Sequence, residues 1–175
     1  MRAANLAYIN QPDGVPNQPT GLVNIPGILG SSETIEVASN LDNLIDLEAT
    51  IEACGGTPTD IILSPAAWAS LRKLKIGDGY ATSLLGVAGT DAQQLLLGLP
   101  VSITNAMPAG KGLIIDKNAI ISAISRIWVT QSEHVYFTSD SIALMCTFRL
   151  GAKLMHADRI GLFTVTNPVS NESDH

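Results

Sequence analysis

Closely spaced apolar blocks switch along this chain between helical and strand periodicity, and turn residues separate most of them. Over 41–54, Leu41, Leu44, Ile45, Glu48 and Ile51 recur at helical spacing, and Leu47 widens the apolar side. Ser39 or Asn40 can cap this helix, Asp42 and Asp46 suit the positive end of its dipole, and Gly55-Gly56 with Pro58 ends it. Asp60-Ile61-Ile62-Leu63 reads as a short buried strand. It runs into Ser64-Pro65, a cap residue followed by proline at the first helical position. The spacing then predicts a second helix over 65–75, with Trp68, Leu71 and Lys75 on one side and Ala67 and Leu74 beside them. Arg72, Lys73 and Lys75 fall in its last turns, where the carbonyl end of a helix favours cations.

Strand signals dominate the C-terminal half of the chain. A strand is predicted over 99–104, with Pro100 suggesting an edge or a strand start. Met107-Pro108-Ala109-Gly110 turns the chain into a strand over 112–116. Residues 120–125 form another short strand or turn segment, and 126–130 one more. From 140 to 154 there is no proline, and Ile142, Leu144, Cys146, Phe148 and Leu150 alternate with small or polar residues. That alternation predicts a single half-buried strand approaching about 40 Å, longer than a small domain needs. A final strand is predicted over 160–166, and beyond it the chain is a polar tail.

Two segments fit neither period. Pro12, Pro16, Pro19 and Pro26 with Gly14, Gly21, Gly27 and Gly30 make 10–30 extended, with Leu22-Val23-Asn24-Ile25 as a short strand or edge. Such a segment cannot bury itself and is expected to lie on a neighbouring layer, or on a partner if the missing layer belongs to sequence upstream. The second, 77–98, holds Gly77, Gly79, Gly86, Gly89 and Gly98, yet carries too few charges for a solvated linker. Leu84, Leu85, Val87, Leu95, Leu96 and Leu97 are costly if left wet, so this loop is expected at a subunit interface.

The chain has 175 residues, of which 46% are apolar and only 5% aromatic, so aliphatic side chains must fill its core. A net charge of -6 argues against a general grip on nucleic acid, which needs clustered positive charge. No apolar run is long and uninterrupted enough to span a bilayer, and the N-terminus lacks the pattern of a signal peptide. Cys54 and Cys146 have no C-x-x-C partner and are expected to be reduced and buried.

Candidate chemistry fails position by position. Gly110-Lys111-Gly112 suggests a phosphate loop, but Asn105 and Gly112 stand where the motif needs Gly and Ser or Thr. His134, His156 and His175 share no ligand spacing. Ser64 precedes a helix, but without a nucleophile elbow it reads as a cap. Glu133 and His134, adjacent on a strand, point to opposite faces. No catalytic residue, metal ligand or cofactor site is expected.

Several stretches taken in order carry a likeness. They are Asp42-Asn43-Leu44-Ile45-Asp46-Leu47, the run from Ile61 to Lys75 containing Ser64-Pro65-Ala66-Ala67-Trp68, and Leu97-Gly98-Leu99-Pro100-Val101. Asn105-Ala106-Met107-Pro108-Ala109-Gly110-Lys111 and Cys146-Thr147-Phe148-Arg149-Leu150 complete the set. Over 21–166 the chain thereby resembles the major capsid proteins of tailed bacteriophages. The resemblance implies an α+β HK97-like capsid fold, with an axial domain of mixed sheet flanked by helices plus a remnant of the peripheral domain. Carried over, 1–34 is an extended, peripheral-domain-like segment and 35–132 the axial domain. Residues 133–157 are the long peripheral strand region, 158–167 the return strand, and 168–175 a tail. The loop over 77–98 then lies near a local symmetry axis. The family's N-terminal arm, extended loop and spine helix precede the matched region, so the chain is expected to correspond to the C-terminal part.

The function implied is that of a structural subunit of a phage or prophage icosahedral capsid, self-associating into pentamers and hexamers around packaged DNA. Its place is the virion, and the host cytoplasm before assembly. An encapsulin-like compartment subunit is the alternative. Identical subunits are the implied partners, with a scaffolding protein or protease during assembly, and neither a membrane nor sequence-specific nucleic acid. Some relatives weld subunits through a lysine–asparagine bond. Here Asp140 and Thr147 stand near the asparagine and glutamate positions, so no such cross-link is expected.

Overall fold

A strand buried on both faces lies at the centre of the sheet. In the computed structural model, which describes residues 2–16, 19–31, 35–37, 41–74, 94–132 and 143–166, Gly112 to Ile115 of β5 (Lys111–Ile115) are all buried. A strand with apolar side chains on both sides needs a layer on each. It pairs antiparallel with β10 (Ile160–Val165) on one edge and β2 (Asp60–Leu63) on the other. Beyond β2 lies the parallel β4 (Leu99–Ile103), then the two-residue β3 (Leu95–Leu96). Beyond β10 lies the parallel β1 (Glu36–Val37), so the mixed sheet runs β1-β10-β5-β2-β4-β3. Pro100 pairs with Leu95 in the outermost strand pair, close to the edge position its missing N–H requires. Leu97 and Gly98 join β3 to β4 with φ of 54° and 78°, the two left-handed positions of a tight hairpin turn.

Helices α2 (Asp42–Ala53) and α3 (Pro65–Lys73) cover one face, burying Leu44, Leu47, Ile51, Ala67 and Leu71 against Ile61, Leu63, Ile114 and Phe163. Both match the helices expected from periodicity, although the expected caps Ser39 and Asn40 lie outside the described residues and Leu41, at the N-cap of α2, makes no side-chain capping bond. Gly55 N–H donates to the Glu52 carbonyl at 2.8 Å and Gly56 N–H to the Ile51 carbonyl at 3.0 Å, with Gly55 at φ 74°, closing α2 in a Schellman turn. Ser64 caps α3, and its buried hydroxyl accepts from the N–H of Ala67 at 3.2 Å and of Gly110 at 3.1 Å. One side chain thus ties a helix start to the turn before β5. Two glycines make room for large side chains on this face, Gly161 for Leu47 of α2 and Gly112 for Phe163 and Leu63 of its neighbouring strands. A Cβ on Gly161 would sit 2.7 Å from Leu47, and one on Gly112 2.4 Å from the Phe163 ring.

The opposite face corrects the expectation of an extended segment over 1–34. Residues Arg2–Asn10 form α1, and Leu22–Asn24 a single 3-10 turn rather than a strand. Alanine and leucine in Arg2-Ala3-Ala4-Asn5-Leu6-Ala7 favour the helix. The chain then folds back, Gly21 N–H donating to the Gln11 carbonyl at 2.9 Å, and buries Ile9, Leu22, Val23 and Ile28 on Leu113, Ile115, Ile160 and Leu162.

Leaving the sheet, the chain makes a two-stranded antiparallel ribbon. Strand β6 (Ile120–Ile124) pairs with β9 (Leu150–Leu154), and β7 (Trp128–Ser132) with β8 (Ala143–Thr147). Residues 125–127 face only 148–149, so the joint is a bulge, held by Ser125 N–H to the Arg149 carbonyl and Arg149 N–H to Ser125 Oγ, both 2.8 Å. The single strand expected over 140–154 is therefore two, interrupted at Phe148 and Arg149, and 120–132 pairs with it rather than with the six-stranded sheet. The root is fixed by buried Asp116, whose carboxylate accepts from Thr57 N–H at 3.1 Å and Asn118 N–H at 2.9 Å. Beside it, Lys117 Nζ lies 2.6 Å from Asp60 Oδ2.

Ser64→Ala leaves the Ala67 and Gly110 donors without their acceptor and lowers stability by about 1–3 kcal/mol in chemical denaturation. Gly112→Ala forces Phe163 and Leu63 apart and costs roughly 1–3 kcal/mol by the same measurement.

Candidate interaction surface

Most of the large apolar side chains left exposed among the described residues lie on the ribbon: Ile121, Ile124, Ile127, Trp128, Val129, Leu144, Met145 and Phe148, with Met155 at its root. Paired residues of an antiparallel ribbon share a face and neighbours alternate. In the β7–β8 half, Trp128, Thr130, Met145 and Thr147 stand on one face, and Val129, Gln131, Leu144 and Cys146 on the other. Trp128 is 57% exposed and Leu144 69%, so both faces are open. An isolated two-stranded ribbon is marginal in water, and open apolar faces on both sides mark it as a contact surface. The alternation from Ile142 to Leu150 suggested half-burial; over 143–150 the side chains are instead largely open, because among the described residues no layer covers them.

Charge is distributed unevenly. Residues 120–132 and 143–154 carry Arg126, Arg149 and Lys153 and no carboxylate, in a chain whose net charge is -6. The Arg126 guanidinium stands 4.5 Å from the centroid of the Trp128 ring, a cation–π contact that holds both at the bulge. Tryptophan and arginine together make the composition typical of interface hot spots.

The outer side of α2 is the counterpart in sign. Asp42, Asp46 and Glu52 are exposed and Glu48 is half-buried, with no basic residue in the helix. Ile45, 48% exposed, and Ala49 lie among them. Partial burial, and secondarily the Glu52 charge one turn away, hold the Glu48 carboxyl above the usual range.

The leucine-rich candidates divide. Leu84, Leu85 and Val87 lie outside the described residues. Leu95 is 45% exposed, whereas Leu96 is 2% exposed within its own subunit's core, and Leu97 occupies the positive-φ turn and packs partly against that core. Both thiols are free and exposed rather than buried, Cys54 because it ends α2 and Cys146 because it sits on the ribbon. Among the described residues no cluster of His, Cys, Asp or Glu could hold a metal ion, and no helix is long and apolar enough to cross a membrane.

A mixed sheet with helices on both faces and a projecting ribbon that lacks a covering layer defines a subunit of the HK97-like α+β capsid fold. Residues 1–165 match the model of the phage capsid family, and the chain belongs to that family. Among solved structures it is similar to the capsid of an empty GTA particle computed with C5 symmetry, at 19% identity and TM-score 0.71 over 93% of this chain and 61% of that one. It is also similar to a protein of Gordonia phage Cozz, at 13% identity and TM-score 0.70 over 94% and 59%. A third likeness is to a virus-like particle from Pyrococcus furiosus, at 18% identity and TM-score 0.51 over 81% and 58%. This chain spans about three fifths of the length of the solved chains it matches. No curated protein matches it.

The ribbon surface was missed in the sequence as such, although Ile127-Trp128-Val129 held a readable signal: consecutive apolar residues on a strand face both ways. Because its ring is more than half exposed and stacks mainly on the Arg126 guanidinium, Trp128→Ser costs no more than about 1 kcal/mol of unfolding free energy, whereas Leu113→Ala costs about 2–5 kcal/mol in the same denaturation experiment. The raised Glu48 carboxyl works in the opposite sense to a stabilising carboxylate. The folded state holds its proton more tightly, so Glu48 costs nothing below its unfolded pKa and destabilises increasingly as pH rises through the folded value. Glu48→Gln raises stability at pH 7 by roughly 0.2–0.5 kcal/mol, and the gain vanishes near pH 3.

Proposed function

We propose that this chain is a structural subunit of a phage or prophage icosahedral capsid, acting by self-association into pentamers and hexamers and performing no catalysis. The observation that carries this reading is the ribbon: a chain whose central sheet is covered on both faces nevertheless projects strands with apolar side chains open on both sides. Family membership and the likeness to a capsid computed with C5 symmetry support it. The six-stranded sheet with α2 and α3 takes the part of the axial domain, and the ribbon that of the peripheral domain. The segment bearing Leu84, Leu85, Val87 and exposed Leu95 supplies a second contact near the local axis, with Leu96 and Leu97 supporting it from inside the subunit. Identical copies are the principal partners, and a scaffolding protein or protease acting during assembly belongs to the same proposal.

The likeness to a virus-like particle supports a second reading on the same fold, an encapsulin-like compartment shell. Particle contents separate the two: packaged DNA favours the capsid, a protein cargo the compartment. Electron microscopy of the purified protein is expected to show shells or five- and six-fold rings. Persistent monomers at high concentration would overturn the assembly reading.

A further inference from the structure

We infer that the basic, apolar ribbon of one copy seats on the acidic outer stripe of α2 of a second copy. The proposal deepens the shell reading by naming which two faces meet. Arg126, Arg149 and Lys153 are the ionic groups of the ribbon's described strands, and all are cationic. The four ionic groups of α2 are all carboxylates. Among the described residues Asp46, Glu48 and Glu52 have no ion-pair partner.

Arg149 and Lys153, four residues apart on an extended chain, are separated by roughly 13 Å. Asp46 to Glu52 covers roughly 9 Å of helix, a difference that the long arginine and lysine stems can span. The apolar parts correspond as well: Trp128 under its guanidinium, with exposed Ile121 paired beside Lys153, offers the ribbon's open surface, and Ile45 with Ala49 gives the helix a low ledge between its acids. The pairing takes two copies. The ribbon's root, through Ile120 and Leu154, packs with the cluster on the α1 side of the sheet, whereas α2 lies on the other side. Two different patches meeting on successive copies make a head-to-tail contact, which closes into a ring when the rotation allows. Bringing the guanidinium groups against the crowded Glu48 and Glu52 also relieves the repulsion within α2. Duplex DNA is the competing occupant of a basic surface, but three cations among so many exposed apolar groups suit a protein ledge better.

The experiment disables one face at a time in the full chain. One variant carries Arg126→Ser with Trp128→Ser, the other Asp46→Lys with Glu52→Lys. All four positions are exposed, and circular dichroism melting checks that both variants fold. Sedimentation velocity at low salt is expected to show a loss of self-association of roughly tenfold or more for each alone. An equimolar mixture recovers association, because one variant keeps the acidic helix and the other the basic ribbon, and added salt weakens it. The inference is overturned if the mixture associates no more tightly than its components. It is equally overturned if the α2 variant associates like the parent, which would mean ribbon-to-ribbon contact, or if the ribbon binds duplex DNA in preference to the intact α2 face. The shell reading is tested separately by micrographs of the parent. Shells with an inert mixture sink only this contact, and a pairing mixture without rings or shells sinks only the shell.

Discussion

Burial of β5 on both faces is the constraint that sets the architecture. Leu113 and Ile115 require cover on one side and Ile114 on the other, and at about 1.5–3 kcal/mol per fully buried aliphatic side chain neither side can be left wet. The two helices answer one demand. The first helix and the 3-10 turn answer the other, which is why a proline-rich segment folds back onto the sheet. Gly161 lets Leu47 of α2 approach the sheet, and Gly112 gives the Phe163 ring of the adjacent strand the space a Cβ would occupy.

The same physics applied to 120–154 gives the opposite result. There the strands satisfy each other's backbone groups along one edge while their side chains face solvent on both sides. Among the described residues the sheet is covered on both faces and the ribbon on neither. Buried Ser64 and Asp116 spend their acceptors on backbone donors.

The features legible in the sequence were those that local chemistry writes. The helix from Asp42 to Ala53 stops where two glycines stand, and the helix after Ser64-Pro65 begins at that pair. The strands on either side of Met107-Pro108-Ala109-Gly110 were equally readable, whereas the hairpin turn at Leu97-Gly98 was not, because its first strand is only two residues long and sits in a segment read as loop. Features that depended on partners distant in sequence were not legible. The helix over Arg2–Asn10 has no acidic first turn or basic last turn, and its single buried large side chain, Ile9, gives no period. Alternation between 142 and 150 told which side chains share a face, but no pattern within one strand can say whether a second layer lies over that face. The exposed ribbon could therefore be recognised only once its pairing was seen. The leucine run failed in part for the reverse reason: Leu96, read as needing a neighbour, is sheltered by its own core.

The ribbon's two strands enter the central sheet at one end of a neighbouring strand pair, for Ile115 ends β5 opposite Ile160, where β10 begins. Tension applied to the ribbon therefore draws on both strands together, leaving their mutual hydrogen bonds unloaded. To yield, the pair would have to slide past β2 and β1 with several paired residues giving way at once, instead of peeling open one rung at a time. Mechanical resistance is thereby built into the connectivity of the ribbon's root.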